Sequence, residues 1–401
     1  MANEVPTILC IASYFKGDRF MTAAAATGAK VYLLTLAKLL RQPWPRGALQ
    51  DVFALHDAPK REDWIHTVSY LARSVPFQAI VALDDFDVET AAMLREHFRL
   101  PGMGDTTARH FRDKLAMRTT ARAAGIAVPD FTGLFHDDAV AQFCERVPAP
   151  WMHKPRSEAS AVGITKVKTP QQLWDLLRGQ GDKRSNYLLE RFLPGDVFHV
   201  DSLVDNGRIV FAAAHQCGTP PFTVAHGGGI YTSYTVEEGS ADEKALLALN
   251  ERLLPALGLH RGSCHAEFIK SAETGEFFFL EAGARVGGVH IAELIEETRG
   301  MNPWAGWAEL ELAFLKGEKF TLRTGVRKPG ALVNTLSKTE SVDYTKLGVE
   351  GIAYEVKEKY HAGAVVVAET HAEMCARRDE IVRKFTDGIT TTLPAPVRAS
   401  H

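Results

Sequence analysis

Apolar and polar positions along this chain fall into blocks that change period. In residues 1–105, three short apolar runs at 7–12, 29–34 and 79–83 are separated by stretches with helical spacing. Strands alternating with helices in this way predict a parallel sheet with helices on its faces. The segment TTARHFRDKLAMRTTARAAG then places Ala108, Phe111, Leu115, Thr119 and Arg122 at helical intervals. Gly125 is suited to close that helix in the left-handed conformation, and Pro129 begins extended chain.

Residues 149–168 read as two strands, PWMHKP and GITKVK, around a loop, RSEASAV. Thr169 and Pro170 form an N-cap and first turn for a helix running to about Arg178. The strand YLLERFL follows, Pro194-Gly195 turns the chain, and VFHVDSLV and GRIVFAAA continue as strands. Residues 219–234 are rich in Gly, Pro and Thr without a clear period, as lids and binding loops often are. Ser240 and Glu243 make a capping-box pattern before ALLALNERLLPAL. CHAEFIK and EFFFLE flank a turn containing Thr274-Gly275, a hairpin pattern. Residues 289–299 are helical again. From about 321, short β runs with glycine turns surround one helix, AEMCARRDEIVRKF, which predicts a separate C-terminal α+β module.

Composition narrows the class. The chain has 401 residues, 46% apolar and 24% charged, and a net charge of -3. That is ordinary for a multidomain globular protein and carries no nucleic-acid stripe. Five scattered cysteines (Cys10, Cys144, Cys217, Cys264 and Cys375) contain no CxxC pair, against a disulfide framework or zinc ribbon. No run reaches the roughly 18 apolar residues that span a bilayer. The expectation is a cytoplasmic protein with small-molecule partners, and with neither nucleic acid nor membrane.

Several ionisable residues sit where chemistry is feasible. Lys154 ends an apolar strand before a loop of small residues. It either lies over nucleotide phosphates beside loop amides or is a surface lysine. Glu190, in YLLERFLPG, is either an acceptor for an adenine amino group or an edge-strand carboxylate. Glu267 in CHAEFIK and Glu281 in FFFLEAGAR lie in apolar surroundings, where bare carboxylates are costly. If Lys270 pairs with Glu276, Glu267 faces Phe279 and His265 faces Glu281. The two carboxylates are then diagonal neighbours on one face, able to share a hard cation. A one-residue slip would separate them. Arg285, four residues after Glu281 and before Gly287-Gly288, is either an anion holder at a helix start or a structural partner for Glu281.

Other patterns carry less. Gly102 and Gly104 form a bare GxG that reads as a turn. The run from His226 to Gly229 has no Gly-x-Ser-x-Gly elbow to accompany it. His260, Cys264 and His265 cannot all point one way from a strand. Asp84, Asp85 and Asp87 end a strand, where they either meet a substrate or form a solvated turn. Trp304 and Trp307 have core spacing on a helix.

Taken in order, lysine, small-residue loop, Glu-x-Phe-Leu hinge, two hairpin carboxylates and arginine resemble the ATP-grasp superfamily. The resemblance runs from about Asp113 to Asn302. It is greatest to the L-amino-acid and dipeptide ligase branch, given RDKLAMR, GIAVP and the trailing β-rich module. This implies an α/β and α+β multidomain protein. A Rossmann-like pre-ATP-grasp domain would span 1–105, ATP-grasp subdomains 106–185 and 186–320, and a small β-rich module 321–401.

The resemblance also implies roles. Lys114 and Lys154 would contact ATP phosphates under the loop 157–163, in which Ser160, Ala161 and Gly163 supply close contacts. Glu190 would bind adenine with the backbone around Phe192 and Leu193. Asp196 is the nearest acid for the ribose, although Val197 occupies one alignment. Glu267 and Glu281 would hold Mg²⁺ or Mn²⁺, and Arg285 would steady the acyl phosphate. Gly283 stands where many relatives have Asn, which leaves the metal count open. The implied reaction joins a carboxylate to an amine, both small molecules and in this branch amino acids, in an enzyme that is a homodimer at family level. The alternative within the fold is a carboxylase or purine-pathway chemistry through carboxyphosphate or formyl phosphate.

Overall fold

The computed structural model describes residues 5–159 and 161–392. The N-terminal apolar runs become β1 (Thr7–Ala12), β2 (Lys30–Leu36) and β4 (Ala79–Ala82), with β3 (Asp51–Leu55) beside them in a parallel sheet ordered β3-β2-β1-β4. β3 was not legible in the sequence, because only its last residue is fully buried and its apolar signal is weak. Helix α1 (Asp18–Ala26) connects β1 to β2 and α2 (Arg61–Leu71) connects β3 to β4, while α3 (Val88–Phe98) follows β4. After α4 (Asp105–Ala108), α5 (Lys114–Ala123) is capped by Asp113, which accepts from the amides of Leu115 and Ala116.

A small sheet follows, ordered β5-β8-β6-β7, from β5 (Phe131–Gly133), β6 (Trp151–Pro155), β7 (Thr165–Val167) and β8 (Tyr187–Arg191). It is packed by α6 (Asp137–Arg146) and α7 (Pro170–Gln180) around Trp151, Phe143 and Leu173.

The largest sheet contains β9 (Gly195–Asp205), β10 (Arg208–Cys217), β11 (Tyr231–Thr235), β12 (Gly262–Ser271) and β13 (Phe277–Gly283). It continues through β14 (Gly330–Ser337), β15 (Ile352–Glu355), β16 (His361–Val367) and β17 (Thr390–Thr391). Its order is β13-β12-β9-β10-β11-β14-β16-β15, with β17 on β14. The C-terminal strands, expected as a separate module, therefore extend the same sheet through the β11–β14 pairing. They keep a core of their own, in which Val333 and Val366 pack on Met374, Ile381 and Phe385 of α12 (His371–Gly388).

The segment 219–234, read as an irregular loop, instead contains the short α8 (Pro221–Gly227) and most of β11. In α9 (Ala241–Leu257), Ser240 caps the amide of Glu243, but Glu243 reaches back to the Gly239 amide, one residue beyond a regular capping box. Helices α10 (Ile291–Arg299) and α11 (Pro303–Lys316) complete the chain.

The N-terminal sheet does not pack alone. One apolar core joins Leu9 and Ile11 of β1 to Phe198 and Phe268 of the large sheet. On its other face α1 meets α11, with the Phe20 and Trp307 rings 5.1 Å apart, so Trp307 is core as its spacing implied. This packing brings the end of β4 to the large sheet. Asp84, Asp85 and Asp87 are accordingly buried, not a solvated turn. Each has a partner: Asp84 pairs with Lys16 at 2.9 Å, Asp85 with Arg112 at 2.5 Å, and Asp87 accepts from the Ser13 amide at 2.7 Å.

Burial and the neighbouring Asp84 raise the Asp87 carboxyl to about 7, against the lowering effect of the Ser13 hydrogen bonds. A carboxyl raised in this way holds its proton in the native state. Its contribution is complete below the unfolded value of about 4 and is lost as pH rises through the native value. Asp87→Asn should therefore flatten the fall in thermal midpoint between about pH 4 and about pH 7 that the wild type shows. An unchanged pH profile in the variant would refute this assignment.

Candidate functional site

The hairpin β12–β13 sets the centre of the site. Its observed register pairs Lys270 with Phe277 and Phe268 with Phe279, one residue away from the pairing expected from sequence. Continued uniformly, that register would put Glu267 and Glu281 on opposite faces. A shift between Phe268 and Glu267 leaves Leu280 without a partner, and Glu267 then stands directly opposite Glu281. The two carboxylates share one face because of a β-bulge. Their side chains are 24% and 31% exposed.

The bulge is held from α5. The guanidinium of Arg118, fully buried, donates to the Leu280 carbonyl and stands 5.7 Å from the centre of the Phe279 ring. The same guanidinium donates from Nε and Nη2 to Glu190 Oε2, at 3.2 and 3.0 Å. Glu190 Oε1 is taken by Lys154 Nζ. The carboxylate is 2% exposed. Burial alone would raise its pKa, but Lys154 and Arg118 outweigh that and hold it below the ordinary value. In this arrangement Glu190 anchors two cations, and both of its oxygens are engaged.

Lys114 lies one turn before Arg118, on the same helix face. Its Nζ is 2.8 Å from Glu281 and 2.7 Å from the carbonyl of Glu158 in the loop after β6. Burial opposes ionisation of Glu281, but Lys114 prevails, aided by Lys154 and Arg118, and lowers the carboxyl to about 2. The same loop is gripped twice more. Arg112 donates to the Ser157 carbonyl at 2.5 Å while paired to Asp85. Arg156 pairs with Asp113, the cap of α5. In the loop Ala161 and Gly163 both take positive φ, 56° and 71°. Ser160 lies outside the described residues.

Arg285 approaches from the turn after β13. Its Nε is 4.0 Å from Asp85 Oδ1, and neither atom has a hydrogen-bond partner among the described residues. Burial lowers its pKa, but Asp85, Asp84, Glu267 and Glu281 outweigh this and keep it above the ordinary value. A methyl group at Gly283 would come within 2.9 Å of Asp85 Oδ1. A side chain from the N-terminal domain thus crowds the position where an Asn was looked for.

Beyond the hinge, the Phe192 amide bonds the Pro150 carbonyl at 3.1 Å, and Lys166 Nζ lies 3.4 Å from the centre of the Phe192 ring. Leu193 joins Val197, Ile269 and Cys217 in a small apolar cluster that also meets Leu280. Asp196 is not brought to the site. It pairs with Lys270, whereas Val197 pairs with Ile269 and His199 with Glu267. Residues of one strand alternate faces, so Asp196 points to the side opposite the carboxylate pair, where it is exposed.

Sequence reasoning missed Arg112, Arg118 and Lys166, and left Asp85 between a substrate contact and a solvated turn. Arg118 had a signal, since it follows Lys114 by four residues and shares its helix face. Arg112 and Lys166 reach the site only through tertiary packing.

No family model matches the chain. It is 26% identical over 235 residues to an L-arginine-specific L-amino acid ligase from Bacillus subtilis, covering 57% of this chain and 56% of that protein. It is 27% identical over 180 residues to a D-alanine–D-alanine ligase from Pseudomonas fluorescens, covering 44% and 54%. The chain spans about half the length of these curated relatives. Among solved structures, an L-amino acid ligase from Bacillus licheniformis superposes with a TM-score of 0.76 at 18% identity, covering 97% of this chain and 98% of that one. The N5-carboxyaminoimidazole ribonucleotide synthetase from Thermus thermophilus superposes at 0.72 with 17% identity, covering 96% and 99%. The chain has the ATP-grasp fold. Its relatives in sequence are ATP-grasp ligases, of the L-amino acid and D-alanine–D-alanine types.

Arg118→Met should test the buried centre. It removes one of two cations from Glu190 and the donor from Leu280. Breaking such a buried pair costs about 3 kcal/mol or more. A lowered urea midpoint is expected, partly restored by Glu190→Gln in the same chain. An unchanged midpoint would show that the guanidinium is not what holds the bulge.

Proposed function

We propose that this protein is an ATP-dependent carboxylate–amine ligase that joins two amino acids through an acyl phosphate, releasing ADP and phosphate. One observation carries the reading. Glu267 and Glu281 face each other across the bulge, with Lys114, Lys154 and Arg285 converging on the same side. An all-oxygen pair, partly exposed, suits a hard cation such as Mg²⁺, which when bound neutralises phosphate charge.

The remaining steps belong to side chains. Lys114 and Lys154 pair with Glu281 and Glu190. Phosphate oxygens offer them alternative acceptors, while amides of the loop 157–163, Ala161 and Gly163 among them, approach the same oxygens. The base lies by the apolar cluster of Leu193, Val197 and Ile269, with the hinge backbone around Phe192 and Leu193 reading its edge. With both oxygens of Glu190 engaged, adenine recognition through its side chain requires Lys154 to move to phosphate first. Arg285 steadies the acyl phosphate and the tetrahedral species formed when the amine attacks. No enzyme nucleophile is required, since positioning and charge neutralisation suffice. ATP as substrate fits a cytoplasmic location.

A second reading keeps the site and changes the reaction. The whole-chain likeness to N5-carboxyaminoimidazole ribonucleotide synthetase favours a carboxyphosphate intermediate. Phosphate release measured with amino acids singly and in pairs, with product masses, separates the two. We expect turnover that needs two amino acids and yields ADP. Formation of AMP, or turnover that needs bicarbonate, would overturn the ligase reading. Glu281→Gln should slow turnover by on the order of 100-fold or more, as loss of a charge-stabilising group does.

A further inference from the structure

Beside the carboxylate pair, on the same face of the large sheet, lies a group of buried side chains that the proposed reaction does not use. His199 Nδ1 is 2.7 Å from Asp201 Oδ2, and His265 Nδ1 is 2.9 Å from Asp201 Oδ1. His215 Nδ1 is 3.8 Å from Asp201 Oδ2, and its ring stacks on that of His199 with centroids 4.9 Å apart. All four residues are at most 7% exposed. The strand pairings bring them together: His199 is opposite His215 across β9–β10, and Asp201 is opposite His265 across β9–β12.

We propose that His199, Asp201 and His265 form a site for a transition-metal cation of the Zn²⁺ class. Two imidazole nitrogens and a carboxylate are donors that such ions take, with water as a further ligand. Donors about 2.0–2.1 Å from a tetrahedral ion lie about 3.3 Å from one another, and one ligand atom from each of the three residues lies within 4.8 Å of the others. An imidazole binds an ion in its ring plane, so His215, stacked on His199, packs beside the site.

Two further observations point to a ligand. Metal-bound histidines usually donate their second ring nitrogen to an oxygen acceptor. Here His199 Nε2 is 2.7 Å from Ser233 Oγ, and His265 Nε2 is 3.5 Å from Glu267 Oε1. Both outer nitrogens thus have the partners that would turn both Nδ1 atoms toward the ion. In addition, both ring nitrogens of His215 are buried without a hydrogen-bond partner among the described residues, although buried polar groups are nearly always paired. A water bound to the ion would give its Nδ1 a partner.

The site is covered by the turn before α10. A methyl group at Gly287 would come within 2.7 Å of Asp201 Oδ1, so no substrate-sized group fits there. This favours a structural ion over a catalytic one that admits substrate. The ion would tie β9 to β12 and, through His265, fix the orientation of Glu267. It is distinct in chemistry from the all-oxygen pair at Glu267 and Glu281, and it does not depend on the ligase reading.

The full-length protein, freed of metal by chelation and titrated with Co²⁺ in excess Mg²⁺, tests the assignment. The expected result is uptake of one Co²⁺ per chain with the visible absorption of a tetrahedral ion. Zn²⁺ should abolish the band. His199→Asn should lose it and Glu281→Gln should keep it. Absence of a stoichiometric band in the wild type would overturn the proposal whether or not any variant folds. A band lost in Glu281→Gln and kept in His199→Asn would overturn it too, since the ion would then lie at the carboxylate pair.

Discussion

A single buried guanidinium organises this site. Arg118 ties α5 to β8 through Glu190 and to β13 through the Leu280 carbonyl. An unpaired charge could not remain at that depth. The carboxylate, the carbonyl and the Phe279 face together supply what water would have supplied, in a medium where each contact is strengthened by its surroundings. The geometry of the two acidic residues follows. The bulged strand can keep Leu280 out of register because its carbonyl has a donor, and the extra residue returns Glu281 to the face of Glu267. The charges of the small sheet, the helix and the hairpin are therefore one system.

The same logic extends to the loop after β6. Arg112 and Lys114 hold consecutive carbonyls of this loop, at Ser157 and Glu158, while Arg156 binds the cap of α5. Arg112 is itself fixed by Asp85 at the end of β4. The N-terminal sheet thus reaches the loop through one ion pair and reaches Arg285 through the other oxygen of the same carboxylate. Movement of either sheet relative to the other would be felt at both places, which gives the shared core between β1 and β9 a consequence beyond stability.

Much of this was legible in the sequence, for identifiable reasons. Strands β1, β2 and β4 of the N-terminal sheet, the β6-loop-β7 unit and the order of ionisable residues all reside in local pattern. What was missed depends on pairing between distant segments. The bulge at Leu280 leaves no mark on FFFLE, because its cause is a donor on another helix. Asp196 was chosen by its distance from the hinge, but strand parity, fixed by the β9–β12 register, turns it away. The acidic turn at Asp84 looked solvated because its cations, Lys16 and Arg112, come from elsewhere in the chain. The C-terminal strands looked separate because β11, which connects them to the sheet, lies in the segment with the least clear period.

Parity also accounts for the most ordered feature of the site face. On β9, Val197 is followed on the same face by His199 and Asp201. On β12, Ile269 is preceded on that face by Glu267 and His265. On β10, Cys217 lies next to His215 in the same sense. The antiparallel pairings align these changes, so that the face passes from apolar to ionisable at one level across three strands. Period-two alternation alone separates two faces and makes no such boundary along a strand. A boundary of this kind divides a region suited to a flat apolar group from one suited to charge. The hinge at Leu193 lies on the apolar side, and the lysines, Arg285 and the carboxylate pair lie on the other. A nucleotide has the same division along its length, and the sheet can meet it without any strand changing direction.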